Sequence, residues 1–441
     1  MRTMVGRCWP LTLVLFAALM VGGCRGLMGA FHEEVTGSPA PTTVPLPSST
    51  AAPEAQPAQP SRPGPAVTSP PTGVGGLPTT PAAQVEPTRV IPPADTLSLP
   101  PGFGISTFAQ GLRDPRMMAL GPDGQLYVAE RGAGRIVRLP DRDGDGVADG
   151  VEVVAEGLDA PSSMAFYQDG SLYAGETKRV LRLSAPDTAD EYIRGAFQER
   201  EVILDGLPSG GHATRTVLFS PDWSSLFVSI GSSCNVCVEE DPRRATIMRY
   251  NPDGSGGQVY AQGLRNAVGI TFRPGTVELW ATNNGRDWLG DDQPPETVYH
   301  VREGDNAGWP YCHSGRIVDP DYGGPTACEG VVAPAVEMQA HSAPLGLTFY
   351  TGTQFPEEYQ GDLFVAFHGS WNRAVPTGYK VVRIPLQDGQ AGQVQDFATG
   401  WLRANGSQWG RPVDVLTGGD GSLFVSDDSG GSIYRIFYAG G

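Results

Sequence analysis

From Leu99 to the end of the chain, short apolar segments alternate with turn residues in a phrase that repeats. A short apolar strand leads into a Pro-Asp-Gly or similar turn, then an alternating aromatic strand, a Gly turn and a strand ending in Arg-aliphatic. The phrase reads MMALGPDGQLYVAERGAGRIVRL, SMAFYQDGSLYAGETKRVLRL, and TVLFSPDWSSLFVSIG with ATIMRY. It continues as VGITFRPGTVELWATNNG with ETVYHV, as LGLTFY with GDLFVAFHGS and YKVVRI, and as PVDVLTGGDGSLFVSDDSGGSIYRIFY. Six copies over roughly 340 residues predict an all-β fold, a six-bladed β-propeller with four-stranded antiparallel blades. Leu126 and Val128 alternate with Tyr127 and Ala129, the period-2 pattern of a strand, and no intervening segment is long and helical enough for a parallel α/β sheet. GFGISTFAQGL, ahead of the first full copy, is placed as the outer strand of the last blade, so that both chain ends close the ring. A β-sandwich is the alternative fold.

Before the repeats the pattern changes twice, dividing the chain into 1–23, 24–98 and 99–441. Arg2 and Arg7 precede an apolar run from Leu11 to Val21, which ends in small residues before Cys24. This is a secretory signal with a lipobox-like end, and an uncleaved anchor is the alternative. The segment resembles bacterial lipoprotein signals, which implies cleavage before Cys24, acylation of its thiol and a body held outside the cytoplasm by a lipid anchor. The following stretch, to residue 98, is dominated by Pro, Thr, Ala, Ser and Gln with hardly an aromatic. It cannot bury enough apolar surface to offset chain entropy and reads as an extended tether, with a glycosylated stalk as the alternative.

Composition narrows the partners. With 59 Gly and 40 Pro in 441 residues, a helical bundle or coiled coil is unlike this chain. A net charge of -17 argues against a phosphate backbone or an anionic membrane surface as the main partner.

Candidate chemistry recurs at one place in the repeat. His212 lies just before an inner strand in GGHATR, Arg265-Asn266 in GLRNAVGITF, His341 in HSAPLGLTF and Arg411 in WGRPVDV. An Arg before a strand is ordinarily a surface or inter-blade ion pair, and a lone His is ordinarily structural. Four cations or imidazoles at an equivalent position would crowd one end of a central channel and need an anionic guest.

The whole folded part, about 99 to 437, resembles the soluble-type pyrroloquinoline quinone (PQQ)-dependent sugar dehydrogenases of the glucose/sorbosone dehydrogenase family. The motifs are PDGQLYVAERGAGRIVRL, GLRN with GITF, ELWATNNG with GDDQPPE, and GDNAGWPYC, while FVAFHGSWNR, GYKVVRI and WGRPVDV look most like the sorbosone branch. The resemblance implies PQQ and Ca²⁺ as cofactors, a sugar or polyol substrate, and an external quinone or cytochrome acceptor, since the chain has no haem motif. It matches His212 to the base that takes the sugar hydroxyl proton, Arg265 and Asn266 to a cofactor-binding pair with Arg265 beside the reacting carbonyl, and Arg411 to a cofactor contact. Asn284-Gly285-Arg286 matches the loop whose backbone oxygens, from Gly285 and Arg286, hold Ca²⁺. Where glucose-oxidising members have an acid before the base, this chain has Gly211, and it has Asn284 and Arg286 in place of Gln and Pro. The family's fifth-blade lysine has no clear counterpart; His368 and Arg373 fall nearby.

Two further groups remain. Asp141, Asp143 and Asp145 with Glu152 carry the letters of an EF-hand loop, but strands flank them, so they form an acidic hairpin excursion that is a candidate second Ca²⁺ site. Cys234, Cys237, Cys312 and Cys328 suggest disulfides outside the cytoplasm, and 234 with 237 and 312 with 328 is the simplest of three pairings. A metal or redox site at Cys234–Cys237 is the rival; haem attachment would need His where Val238 stands. Two other functions compete with the dehydrogenase: a metal-dependent sugar lactonase, which would want convergent axial carboxylates, and a non-catalytic propeller that binds a partner or carbohydrate.

Overall fold

The computed structural model describes residues 96–184, 197 and 199–440. The expected signal peptide, Cys24 and the tether up to residue 95 lie outside the described residues. Six four-stranded antiparallel sheets follow one another along the chain. The sixth takes three strands from the C-terminal end and its outer strand, Phe103–Gln110, from the N-terminal end, with Phe103 opposite Tyr438. This pairing closes the ring and covers an edge that would otherwise be open. No described helix is long and apolar enough to cross a membrane.

The period-2 pattern turns out to divide residues between two cores rather than between core and solvent. Every residue of the second strand is buried in all six blades, as in Leu126–Glu130 and Leu363–Phe367. Tyr127 and Ala129 pack against Leu172 and Ala174 of blade two, whereas Leu126 and Val128 pack against Phe424 and Ile433 of blade six. Alternation here is aromatic or aliphatic on both faces because each blade is sandwiched between two others.

The inner strands are knitted across the ring. Met117 N–H donates to Ser162 O at 3.3 Å, Ser163 Oγ to Arg215 O at 2.7 Å, and Thr282 Oγ1 to Leu345 O at 2.8 Å. Asp414 of blade six accepts from Met118 N–H of blade one at 2.8 Å. Met117, Leu345 and Val413 of three inner strands meet Val268, just ahead of a fourth, as a small buried cluster.

Antiparallel order decides where chemistry can gather. Loops entering the inner strands and loops joining second to third strands necessarily share one end of the ring. A buried carboxylate fixes these loops repeatedly: Glu130 Oε1 accepts from Arg113 N–H, Glu176 Oε1 from Asp159 N–H and Asp427 Oδ1 from Arg411 N–H, each at 2.7 Å. Glu296 does so twice, from Gly285 N–H at 2.7 Å and Ala343 N–H at 3.2 Å. The second oxygens of Glu130 and Glu176 are closed off by Arg135 and Arg179. Removing Glu130 leaves the Arg113 N–H and the Arg135 guanidinium without their acceptor, so Glu130→Ala is expected to cost about 1–3 kcal/mol, read as a lower thermal midpoint with the sheet content unchanged.

Candidate active site

His212, Arg265, His341 and Arg411 all enter inner strands, and they therefore stand at the end of the ring just described. Gly211 places the first of them. Its φ is 59°, and a Cβ there would sit 2.4 Å from Ser233 O, so an acidic side chain could not be accommodated. Gly231 works the same way, since a Cβ would meet His212 Cβ at 2.6 Å and Asn266 Oδ1 at 2.7 Å. Gly231 thereby leaves room for both His212 and Asn266 beside it.

The hydrogen bonds of His212 set its tautomer. Nδ1 lies 3.1 Å from Ser232 O and 2.9 Å from Ser232 Oγ. A carbonyl can only accept, and the Ser232 hydroxyl spends its proton on Cys234 O at 2.7 Å. Nδ1 must therefore carry the hydrogen, leaving Nε2 as a lone pair with no protein partner among the described residues. Burial, with the Arg265 and Arg244 guanidiniums nearby, pushes the imidazole pKa down to about 4. His212 is a neutral acceptor at neutral pH.

Arg265 is buried and held on several sides. Nε donates to Asn235 O at 2.9 Å, and Nη2 to Asn235 Oδ1 at 3.0 Å and Asp287 Oδ2 at 2.9 Å. Asn235 sits between Cys234 and Cys237, which are disulfide-bonded, as are Cys312 and Cys328. It also accepts from Asp287 N–H at 2.7 Å and Trp309 Nε1 at 3.3 Å. The short disulfide loop thus clamps Arg265 to the Asn284–Asp287 loop. Asn284 Nδ2 donates to Pro344 O at 2.6 Å and its Oδ1 accepts from Asn266 at 3.5 Å. The Arg286 side chain turns away to Asp319 at 2.5 Å and Asp321 at 3.1 Å, and the backbone oxygens of Gly285 and Arg286 accept no hydrogen bond among the described residues. Such free carbonyls suit a hard cation.

A second half of the site comes from blades five, six and one. His368 Nε2 lies 2.8 Å from Asp428 Oδ2, which also takes Arg116 Nη1 at 2.7 Å. Burial pushes the His368 pKa down to about 4, while His368 and Arg116 hold Asp428 down at about 2, so the pair is a neutral imidazole donating to a carboxylate. Arg411 donates to His368 O at 3.1 Å and Gly369 O at 3.0 Å and lies 5.6 Å from the Tyr379 ring. It has no carboxylate partner of its own among the described residues. Arg116 Nε and Asn372 Oδ1 are buried without partners. A guanidinium with no carboxylate of its own and the orphaned Arg116 N–H fit a polyanionic guest, whereas the orphaned Asn372 oxygen can only accept and suits a donor.

His341 and Arg373 are occupied otherwise. His341 Nε2 donates to Gly290 O at 2.8 Å while Nδ1 accepts from Asn372 at 3.3 Å. Arg373 reaches Asp291 O at 2.6 Å and Asp292 Oδ1 at 3.2 Å. Both tie the loops of blades four and five together. The acidic loop is elsewhere: it joins the third and fourth strands of blade one, at the opposite end of the ring. Asp141, Asp143 and Asp145 converge there, but Glu152 binds Arg138 at 2.5 Å and Arg142 at 2.5 Å and does not complete the set.

Comparison with known proteins supplies a family. A family model described as TrAA12-like matches residues 97–314 and 323–439. The chain belongs to the TrAA12-like family. A Coprinopsis cinerea pyrroloquinoline quinone-dependent pyranose dehydrogenase is 26% identical, over 76% of this chain and 54% of that protein. An uncharacterized protein of Borreliella burgdorferi is 36% identical over 52% of this chain and 61% of its own length. This TrAA12-like chain thus spans a little over half the length of these relatives. The holo PQQ domain of the Coprinopsis cinerea enzyme superposes with a TM-score of 0.67 at 24% identity, covering 77% of this chain and 97% of that one. The calcium structure of a Trichoderma reesei family AA12 carbohydrate-active enzyme gives 0.66 at 22%, covering 81% and 99%. The PQQ-bound aldose sugar dehydrogenase of Streptomyces coelicolor gives 0.56 at 21%, covering 77% and 99%. These likenesses establish the fold of the TrAA12-like ring.

Sequence reasoning passed over Arg116, Ser232, Asn235, Asp287, Asn372 and Asp428. Arg116 lies just inside the first inner strand, after Pro115, whereas Arg411 precedes Pro412 of the last, so the recurring pre-strand position did not include it. The others act through partners distant in sequence. ¹⁵N-histidine NMR is expected to show His212 with Nδ1 protonated and Nε2 bare, and both His212 and His368 neutral until the pH falls to about 4. Because the unfolded imidazoles protonate near 6.5, the stability these groups contribute is complete above that pH and fades as pH drops from 6.5 towards 4.

Proposed function

We propose that residues 99–441 form a PQQ- and Ca²⁺-dependent dehydrogenase that oxidises a sugar, as an aldose or a sorbosone-like aldehyde or polyol, and that a lipid on Cys24 holds it outside the cytoplasm by way of the 24–98 tether. The observation that carries this reading is the bare Nε2 of a neutral His212 set among guanidiniums that exceed their carboxylate partners. The Coprinopsis cinerea relative, a pyrroloquinoline quinone-dependent pyranose dehydrogenase, supports it.

In this reading Arg265, Asn266 and Arg411, with Arg116 beside them, bind the carboxylates of the cofactor, and the backbone oxygens of Gly285 and Arg286 face the cation. Bound PQQ supplies a two-electron acceptor and Ca²⁺ a Lewis acid. His212 Nε2 takes the proton of the substrate hydroxyl. The imidazolium so formed is held by the two acceptors on Nδ1, Ser232 O and Ser232 Oγ, whose hydrogen bonds strengthen as charge develops. Asn235 and Asp287 keep Arg265 fixed while this occurs. An external quinone or cytochrome then receives the electrons. A lactonase metal site needs converging free carboxylates, whereas Asp287 and Asp428 at this end are paired with Arg265 and Arg116.

Titrating the purified protein with PQQ and Ca²⁺, followed by sugars and an artificial acceptor, tests the assignment. Stoichiometric Ca²⁺-dependent binding and sugar-driven reduction are expected. His212→Ala should retain cofactor binding and lose about 10²–10⁴-fold in kcat. Parental turnover in that variant would remove His212 from the chemistry, and absence of PQQ binding would sink the dehydrogenase reading.

A further inference from the structure

Two tryptophans at the same end of the ring have no role in the scheme above. Trp288 and Trp371 are 66% and 65% exposed, with ring centroids 5.2 Å apart and planes at 87°. Most large apolar side chains in the folded ring are buried, so a paired exposure of indoles is unusual and marks a surface that meets something. Their loops are fixed from beneath. Asn372, next to Trp371, donates to Asp287, next to Trp288, at 2.9 Å. Ala374 N–H reaches the Asp291 carboxylate at 3.2 Å, Arg373 reaches Asp291 O at 2.6 Å, and His341 reaches Gly290 O at 2.8 Å. Trp288 also holds a left-handed backbone, φ 71°, a conformation that is costly for a bulky residue and persists only where its surroundings impose it.

The chemistry of the patch selects its guest. Two perpendicular, largely exposed indoles make an aromatic corner, and aromatic faces attract weakly positive C–H groups. Asp291 and Asp292 follow Trp288 in the same loop and offer carboxylate acceptors, Asp292 being 88% exposed, while Arg373 is engaged by Asp291 O, Ala340 O and Asp292. A pyranose ring has both properties, apolar C–H faces and a rim of hydroxyls. An anionic lipid or phosphate does not suit an acidic border on a chain of net charge -17. Asp287 binds Arg265, so the corner adjoins the proposed reaction site through one side chain.

We propose that Trp288 and Trp371 bind a pyranose unit next to the one that reacts, so that the substrates are oligosaccharides or glycosides rather than free monosaccharides alone. This rests on the sugar dehydrogenase reading for the reacting unit, while the binding itself does not depend on turnover.

The test begins with cofactor-free protein and tryptophan fluorescence, using cellotetraose, maltotetraose and chitotetraose against glucose. At least one tetrasaccharide should bind at least tenfold more tightly than glucose. Trp288→Ala and Trp371→Ala should each weaken it about tenfold or more, and Trp288→Phe should restore most of the loss. In the PQQ- and Ca²⁺-loaded enzyme, the same alanine variants should lower the tetrasaccharide-to-monosaccharide ratio of kcat/KM by a similar factor. Equal effects on both substrates, or no tetrasaccharide binding, would overturn the proposal. So would variants that bind tetrasaccharide normally but fail to reduce a cytochrome, which would make the corner a docking point for the acceptor. Tryptophan-dependent tetrasaccharide binding in a protein that oxidises no sugar would keep this site and discard the dehydrogenase reading.

Discussion

A backbone N–H held by a buried carboxylate is the contact on which the rest of this ring depends. Glu130, Glu176, Glu296 and Asp427 are each almost wholly removed from water, and each grips a loop at the end where inner strands begin. Burying a carboxylate is expensive unless its oxygens are satisfied, so the arrangement tolerates little displacement. The loops entering the inner strands are thereby made rigid without forming regular structure themselves. That rigidity is what allows side chains from different blades to meet.

Rigidity also explains how so many like charges are kept together. Arg116, Arg244, Arg265 and Arg411 stand within one end of the ring, and three of them lean on carboxylates: Asp428, Glu239 and Asp287. Arg411 leans only on carbonyls. Burial first, and then the Arg265 and Arg244 guanidiniums, keep the His212 ring neutral. Arg265 thus belongs both to the candidate anion site and to the groups that lower the proton affinity of the neighbouring imidazole.

The fold was readable because propeller strands are short, repeated and bounded by turn chemistry, and because the unmatched segment GFGISTFAQGL had one place to go. What the repeat could not show is that alternation along Leu126–Glu130 separates two inter-blade cores, since both faces are apolar. At the site, the equivalent pre-strand position of His212, Arg265 and Arg411 was visible in sequence, and so was the local cysteine pairing. His341 stands at that position too, yet its positive φ of 64° turns its ring to Gly290 O and Asn372. Asn235, Asp287, Asn372 and Asp428 act over separations of 22 to 312 residues, through contacts that no local pattern encodes. Glu152 had the right spacing for a metal loop and was taken by Arg138 and Arg142 instead, because strand pairing sets Arg138 opposite it.

The depressed proton affinity of His212 bears on how such a site would work. An imidazole that titrates at about 4 is a weak base, although it is always available at neutral pH. The two largest influences on it are burial and Arg265, and an anion bound to Arg265 acts on the second. Negative charge placed there raises the proton affinity of Nε2, and by linkage a proton on Nε2 tightens the hold on the anion. Under the proposed function the base would therefore be weak in the empty ring and stronger in the loaded one. Arg265 would then serve two purposes through one charge, and its buried clamp between Asn235 and Asp287 is what keeps that charge at a fixed distance from the imidazole.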